Sequence, residues 1–184
     1  MRIRFSIKTA LLAMTLIAAG LVFVLFAYRN YLVPHTPLSW EPFNATCLET
    51  IGDTQRPILI SIRDTTLTMS PDLQHVLEYD FIEHHPNTEF RTFVYDNDVQ
   101  LYTFEHNWHL STGQDHADAV KALLWSQYPD MEHTVNLPPF LLALPGQDRV
   151  LFFHEPFPDA YDIMAAVLTN GETLSGEDYF PDRY

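Results

Sequence analysis

Cysteine is almost absent from the chain, because Cys47 is the only one in 184 residues. A disulfide within the chain needs a second sulfur, and so does a dithiol couple that cycles between its reduced and oxidised forms. The sequence therefore excludes both. Cys47 lies in a short predicted helix, where we interpret it as a small core residue; a redox function through this single thiol is the alternative.

Basic residues are also scarce, with ten Lys and Arg against 24 Asp and Glu. Three of the ten precede an N-terminal apolar run, and every acidic residue follows it. The strongly acidic remainder repels nucleic acid. We therefore predict no nucleic-acid partner.

Familiar catalytic signatures are missing as well. The chain contains no Gly-x-Ser-x-Gly elbow, no phosphate-binding loop and no dinucleotide fingerprint. The sequence thus identifies no catalytic residue and predicts no cofactor, and it favours a binding function over an enzymatic one.

What the chain does have is a long apolar run over residues 10–27, without a single charge. As a helix, this run spans roughly 27 Å, enough to cross the hydrocarbon of a bilayer. Arg2, Arg4 and Lys8 precede it and only Arg29 follows closely, so the positive-inside rule places the N-terminus in the cytoplasm. We predict a single-pass protein of the cell membrane whose C-terminal domain lies outside the cytoplasm.

Two other interpretations of the run remain open, a cleaved signal peptide and a buried core helix. Bulky residues follow the run where a signal peptidase needs small ones, which favours an uncleaved anchor. The predicted organisation is a cytoplasmic N-terminus (1–9), a transmembrane anchor (10–28), a proline-containing tether without regular structure (29–42), a globular domain (43–171) and an acidic tail (172–184).

Apolar periodicity predicts an α/β domain. The predicted elements are a short helix in 43–53, a strand at 58–62, a helix that Ser70 caps, a strand at 89–95 with a hairpin partner at 99–104, a helix at 115–128, strands at 140–144 and 150–153, and a helix at 159–170. Strands joined through helices favour parallel pairing, and the closing hairpin adds antiparallel strands. We therefore predict a mixed sheet with helices on both faces.

This order of elements resembles the thioredoxin-like family. RPILISI matches the first core strand of that family, and FRTFVYDND matches the strand that ends in an acidic residue. In VNLPPFLLALPGQDRVLFF, Pro139 matches the cis-proline that precedes the third core strand. The resemblance implies a thioredoxin-like sandwich over about residues 43–170 and a cis bond before Pro139.

The same resemblance shows where the family's chemistry has been lost. Leu67, Thr68, Met69 and Ser70 occupy the positions of the Cys-x-x-Cys pair, so this loop cannot exchange disulfides. The family's two neighbouring loops also grip extended polypeptide, which needs no sulfur. The resemblance thus implies a redox-inactive module that binds or scaffolds an unknown protein through Thr65, Thr66, Leu67, Met69, Ser70, Pro138, Pro139 and Phe140.

Nine histidines suggest one further alternative. His106 and His109 lie three residues apart, and His116 follows soon after. If this segment folds back on itself, the three imidazoles could bind a metal ion. A metal-binding or enzymatic protein built on His106, His109 and His116 is therefore the alternative function.

Overall fold

The computed structural model describes residues 7–44, 46–49, 51–65, 77–79, 86–107, 109–129, 137–153 and 160–171. The helix that Ser70 was expected to cap lies largely outside these residues, as does the acidic tail. The described helices and strands are α1 (Ile7–Ala27), β1 (Glu41–Pro42), α2 (Thr46–Glu49), β2 (Ile58–Asp64), α3 (Thr88–Asp96), β3 (Gln100–His106), α4 (Gln114–Gln127), β4 (Phe140–Ala143), β5 (Leu151–Phe153) and α5 (Ala160–Leu168).

The five strands form one sheet in the order β1-β3-β2-β4-β5. Strands β1, β3 and β2 run parallel, β4 runs antiparallel to β2, and β5 runs antiparallel to β4. The mixed α/β sheet that the sequence predicts is therefore confirmed.

Strand β2 shows how the core divides into two layers. Its side chains alternate, so Ile58, Ile60 and Ile62 lie in one buried cluster while Leu59 lies in the other. The isoleucine face packs with α2 and α4, and the opposite face packs with α3 and α5. Helices thus cover both faces of the sheet, as predicted.

Helix α1 stands apart from this core. None of its residues is buried, and its best 18-residue window has a mean hydropathy of 2.6. By length and composition it is able to cross a membrane, and both an anchor and a signal sequence fit this description. The interpretation of the run as a buried core helix is wrong.

Residues 89–95 form helix α3, so the predicted strand is wrong. The side chain of Asn87 accepts a hydrogen bond from the Phe90 backbone N–H at 3.1 Å and caps the helix, and Glu89 lies in the first turn. Phe90 and Val94, four residues apart, face the core. The segment EFRTFVY satisfies an alternating and a helical pattern at once, and the cap and the tertiary packing decide between them.

The next strand also differs from the prediction. Residues 99–104 were expected to pair with 89–95 as a hairpin, but strand β3 lies parallel to β2 over seven residue pairs, from Ile58 opposite Gln100 to Asp64 opposite His106. Because α3 is a helix, it makes the crossover that a parallel pair requires.

The segment 29–42 is ordered, unlike the irregular tether expected. It continues α1 as one π-helical turn, Tyr28–Leu32, and a 3-10 turn, Val33–His35. Val33 and Pro34 are buried, and β1 adds an edge strand to β3. The segment is thus part of the folded domain.

Other elements agree with the sequence, with two exceptions. Helix α4 buries one face, and Gly171 ends the last helical segment with φ +80°, its N–H donating to Ala166 O at 2.8 Å. The predicted helix at 159–170 is present as α5, but its apolar residue Leu168 is 70% exposed rather than buried. All peptide bonds among the described residues are trans, so the cis bond expected before Pro139 is not formed.

Candidate functional site

The sheet brings two of the predicted binding residues to one end. Thr65 directly follows β2, and its N–H donates to His106 O at 2.8 Å. Pro139 precedes β4, and its carbonyl accepts from Ile62 N–H at 2.8 Å. Thr65 and Pro139 therefore lie at the same end of the sheet, where β2 ends and β4 begins.

Two further residues of the predicted surface are buried. Phe140 is 1% exposed and packs in the core with Leu59 and Phe90, and Pro138 is also buried. Phe140 is thus a core residue, which corrects its assignment to a binding surface. Thr66, Leu67, Met69 and Ser70 lie outside the described residues.

The three candidate metal ligands lie in different surroundings. His106 is buried with Nε2 3.4 Å from Gln114 Oε1, whereas His109 is exposed. The His116 ring lies edge-on to Phe43 and Phe104, with centroids 5.3 and 5.8 Å away. Within the described residues, no group of three or more His, Cys, Asp or Glu is placed to hold a metal ion.

Cys47 is half-buried on α2 and packs against the core. Its side chain contacts Tyr102. The pKa of Tyr102 is raised, mainly by burial and to a smaller extent by the contact with Cys47 and the negative charge of Glu41. The packing agrees with the role of a small core residue.

A buried ion pair that the sequence analysis missed lies on the other face of the sheet. The Arg91 side chain on α3 is 1% exposed, and its Nη2 lies 3.4 Å from Glu78 Oε2. The Glu78 carboxylate accepts hydrogen bonds from Trp40 Nε1 at 2.7 Å and from Leu38 N–H at 3.0 Å. The pair therefore joins α3 to the segment that follows α1.

Arg91 is less well satisfied than its partner. Its Nε and Nη2 are buried and donate no hydrogen bond within the described part of the chain. The guanidinium carbon lies 4.8 Å from the centre of the Tyr79 ring. Buried guanidinium N–H groups without acceptors are costly, so part of the cost of burying Arg91 is not offset by hydrogen bonds.

A cavity of about 310 Å³ lies where the segment after α1 meets α3, and Arg91 forms part of its wall. Tyr28 and Tyr95 line it with their rings edge to face at 6.1 Å, and Asp98 and the residues 36–39 complete most of the wall. We call it the junction cavity. It combines aromatic, cationic and anionic groups at the base of the apolar helix.

An exposed salt bridge also joins the segment after α1 to the end of α3. Arg29 Nη2, two residues beyond α1, lies 2.7 Å from Asp96 Oδ2 at the end of α3. Exposed pairs of this kind contribute up to about 1 kcal/mol, so this one is a weak additional contact between the segment after α1 and α3.

The fold and the site define a class of protein, an α/β domain with a mixed five-stranded sheet behind one long apolar N-terminal helix. No family model, curated protein or solved structure matches the chain.

Proposed function

We propose that the protein is a redox-inactive, thioredoxin-like module that α1 anchors in the cell membrane, with the domain outside the cytoplasm, and that it binds another polypeptide. The observation that carries the proposal is the order of the sheet. Two parallel strands, β2 and β3, are followed by the antiparallel strands β4 and β5. The resemblance assigned FRTFVYDND to the second of the parallel strands, but that segment is helix α3, and β3 takes the place beside β2.

The binding surface in this proposal is the end of the sheet where Thr65 and Pro139 lie. Pro139 keeps the position before β4 that the resemblance assigns to it, although its bond is trans. Binding there needs no thiol, which agrees with a chain that has one cysteine, placed on α2.

Photocrosslinking of the full-length protein in its native membrane tests the binding surface. A benzophenone amino acid replaces Thr65 in one variant and Ala122, exposed on the outer side of α4, in the matched control. We expect a protein adduct from position 65 that is absent from position 122 and weakened by Pro139→Ala. Equal adducts from both positions, or none from position 65, would show that this end of the sheet binds no protein.

Extraction and protease protection test the anchor separately. An uncleaved anchor keeps the chain in the membrane pellet after alkaline carbonate treatment, with Met1 still present in the mature protein. Protease added from outside the cell should then digest the domain. A soluble mature chain that begins beyond residue 27 would identify a signal peptide instead.

A further inference from the structure

We propose that the folded domain itself contacts the membrane in which α1 is anchored, through an exposed aromatic and apolar surface that lies in the headgroup layer. The inference rests on the anchoring part of the proposed function and is independent of the polypeptide-binding surface. It adds a contact between the lipid and helix α3, which belongs to the domain and not to the anchor.

The surface consists of four large side chains next to the end of α1, namely Tyr28, Tyr31, Leu32 and Tyr95, which are between 44% and 68% exposed. Tyr28 and Leu32 lie four residues apart on one side of the π-helical turn. Tyr95, on α3, places its ring edge to face with that of Tyr28, with the centroids 6.1 Å apart. We call these four residues the interfacial patch. Neighbouring exposed apolar side chains indicate an interaction surface, whereas a single one needs no explanation.

The length of the apolar helix determines the depth of the patch. About 20 residues at 1.5 Å each cross the ~30 Å of hydrocarbon, so a span that begins after Lys8 ends near Tyr28. Tyr31 and Leu32 lie about 5–6 Å further along the helix axis, and the polar layer on each side of a bilayer is roughly 5–8 Å thick. In the anchored protein, Tyr28 therefore lies at the edge of the hydrocarbon, and Tyr31 and Leu32 lie among the headgroups.

Tertiary packing brings helix α3 to the same depth. The rings of Tyr28 and Tyr95 are in contact, and the next residues along the chain, Arg29 and Asp96, form the 2.7 Å salt bridge. The last turn of α3 therefore lies beside the residues that end the span. Tyrosine is enriched at this depth in membrane proteins, because its ring is apolar and its hydroxyl can reach water.

The charges beside the patch are compatible with a lipid surface. Arg29 pairs with Asp96, and Arg56 pairs with Asp98, so these four side chains add no net charge. An unpaired carboxylate at the same place would be repelled by anionic headgroups. The contact therefore depends on the aromatic and apolar side chains and requires no particular headgroup charge.

Photocrosslinking of the full-length protein in phosphatidylcholine vesicles tests the inference. A benzophenone amino acid, which reacts with the C–H bonds it touches, replaces Tyr95. Leu110 is the matched control, because it is 74% exposed but lies beyond the far end of β3, a strand that begins next to α3 and is roughly 20 Å long. We expect the mass of one phosphatidylcholine to be added at position 95 and not at position 110.

A third position separates contact by the domain from contact by the anchor. Leu32 continues the apolar helix, so a benzophenone there should also give a lipid adduct. Adducts from position 32 but not from position 95 would show that only the anchor touches lipid, and equal adducts from 95 and 110 would show no specific patch. A crosslinked dimer of the chain at position 95, in place of the lipid adduct, would show that a second copy covers the patch. Each of these three results would overturn the inference.

Carbonate extraction reports on anchoring alone and keeps the two proposals apart. A chain that stays in the membrane pellet but gives no lipid adduct at position 95 refutes this inference and leaves the proposed function standing. A soluble mature chain that begins beyond residue 27 has no anchor, and it refutes both.

Discussion

At the scale of the residue, Glu78 and Arg91 form a buried ion pair on one face of the sheet. Removing both charges from water is expensive, and the hydrogen bonds from Trp40 and Leu38 offset that cost for the carboxylate only. The two side chains are therefore interdependent, since each is tolerated in the interior because the other is present.

We expect Arg91→Met to lower the free energy of unfolding by about 3–5 kcal/mol, because it leaves the Glu78 carboxylate buried without a countercharge. Adding Glu78→Gln should restore at least about 2 kcal/mol, since the amide oxygen still accepts from Trp40. Urea unfolding of the full-length protein in detergent, followed by circular dichroism, measures both. The control is Arg56→Met, which breaks an exposed pair and should cost under about 1 kcal/mol. A double variant less stable than Arg91→Met alone would contradict the interdependence.

Tyr128 provides a test of pH dependence. Its hydroxyl donates to Val150 O at 2.9 Å, and burial raises its pKa above the model-peptide value of 10.0, against the opposing charge of Arg149. A group whose pKa is raised on folding stabilises the protein fully below its unfolded pKa, and this contribution is lost as the pH rises through the folded value.

We therefore expect Tyr128→Phe to be less stable than the wild type by about 1 kcal/mol at pH 8, through the lost hydrogen bond. The difference in stability between the two proteins should shrink above about pH 10. At that pH an unfolded tyrosine loses its proton, whereas the folded wild type must keep Tyr128 protonated or bury its charge, and phenylalanine has no such cost. Urea midpoints of both proteins at pH 8 and pH 11 provide the measurement. A difference that stays constant over this range would show that Tyr128 titrates alike in the folded and unfolded chains.

At the scale of the element, α3 is where reasoning from the sequence fails. Strand β2 was predictable because it begins with a short continuous apolar run, and helix α4 because its apolar residues follow one helical period. In α3, Phe90, Thr92 and Val94 alternate while Phe90, Phe93 and Val94 follow a helical spacing, so seven residues do not decide between the two. The cap at Asn87 is a signal that was available in the sequence.

The same limit explains why only part of the candidate site could be predicted. Thr65 and Pro139 follow from the order of the elements, which places the ends of two neighbouring strands together. Arg91, in contrast, meets Glu78 only after α3 has been placed on the sheet, and Glu78 in turn binds Trp40, 38 residues before it in the chain, so no local pattern encodes these contacts. The buried arginine was therefore beyond prediction from periodicity.

We expect Asn87→Ala to destabilise the domain by about 1 kcal/mol, since the Phe90 N–H then loses its acceptor. Asn87→Asp is the matched control, because its carboxylate accepts the same bond and carries a charge that suits a helix N-terminus. Thermal unfolding followed by circular dichroism distinguishes them. If the two variants lose the same stability, the cap does not hold α3 in place.

At the scale of the whole molecule, the domain begins earlier than composition suggests. Residues 33–42 contribute buried Val33 and Pro34, the packing of Trp40 and Leu38, and an edge strand. The boundary between the apolar helix and the domain therefore lies near Tyr28 rather than near residue 43.

Two truncations test this boundary. Removal of residues 1–27 should leave the urea midpoint close to that of the full chain, because α1 buries none of its residues. Removal of residues 1–42 should lower the free energy of unfolding by about 3 kcal/mol or more, since Glu78 loses the two N–H donors that satisfy it. Equal midpoints for the two truncated chains would restore the view of 29–42 as an independent tether.

The folded segment after α1 also determines how the domain is presented to its surroundings. A free chain over residues 29–42 would let the domain move within roughly 20 Å of the end of α1. The ordered segment instead holds the domain in one orientation relative to α1. It does so through the burial of Val33 and Pro34, with the salt bridge from Arg29 to Asp96 as an additional contact. In the proposed membrane-anchored protein, a partner in the same membrane would therefore reach the domain from a restricted set of directions.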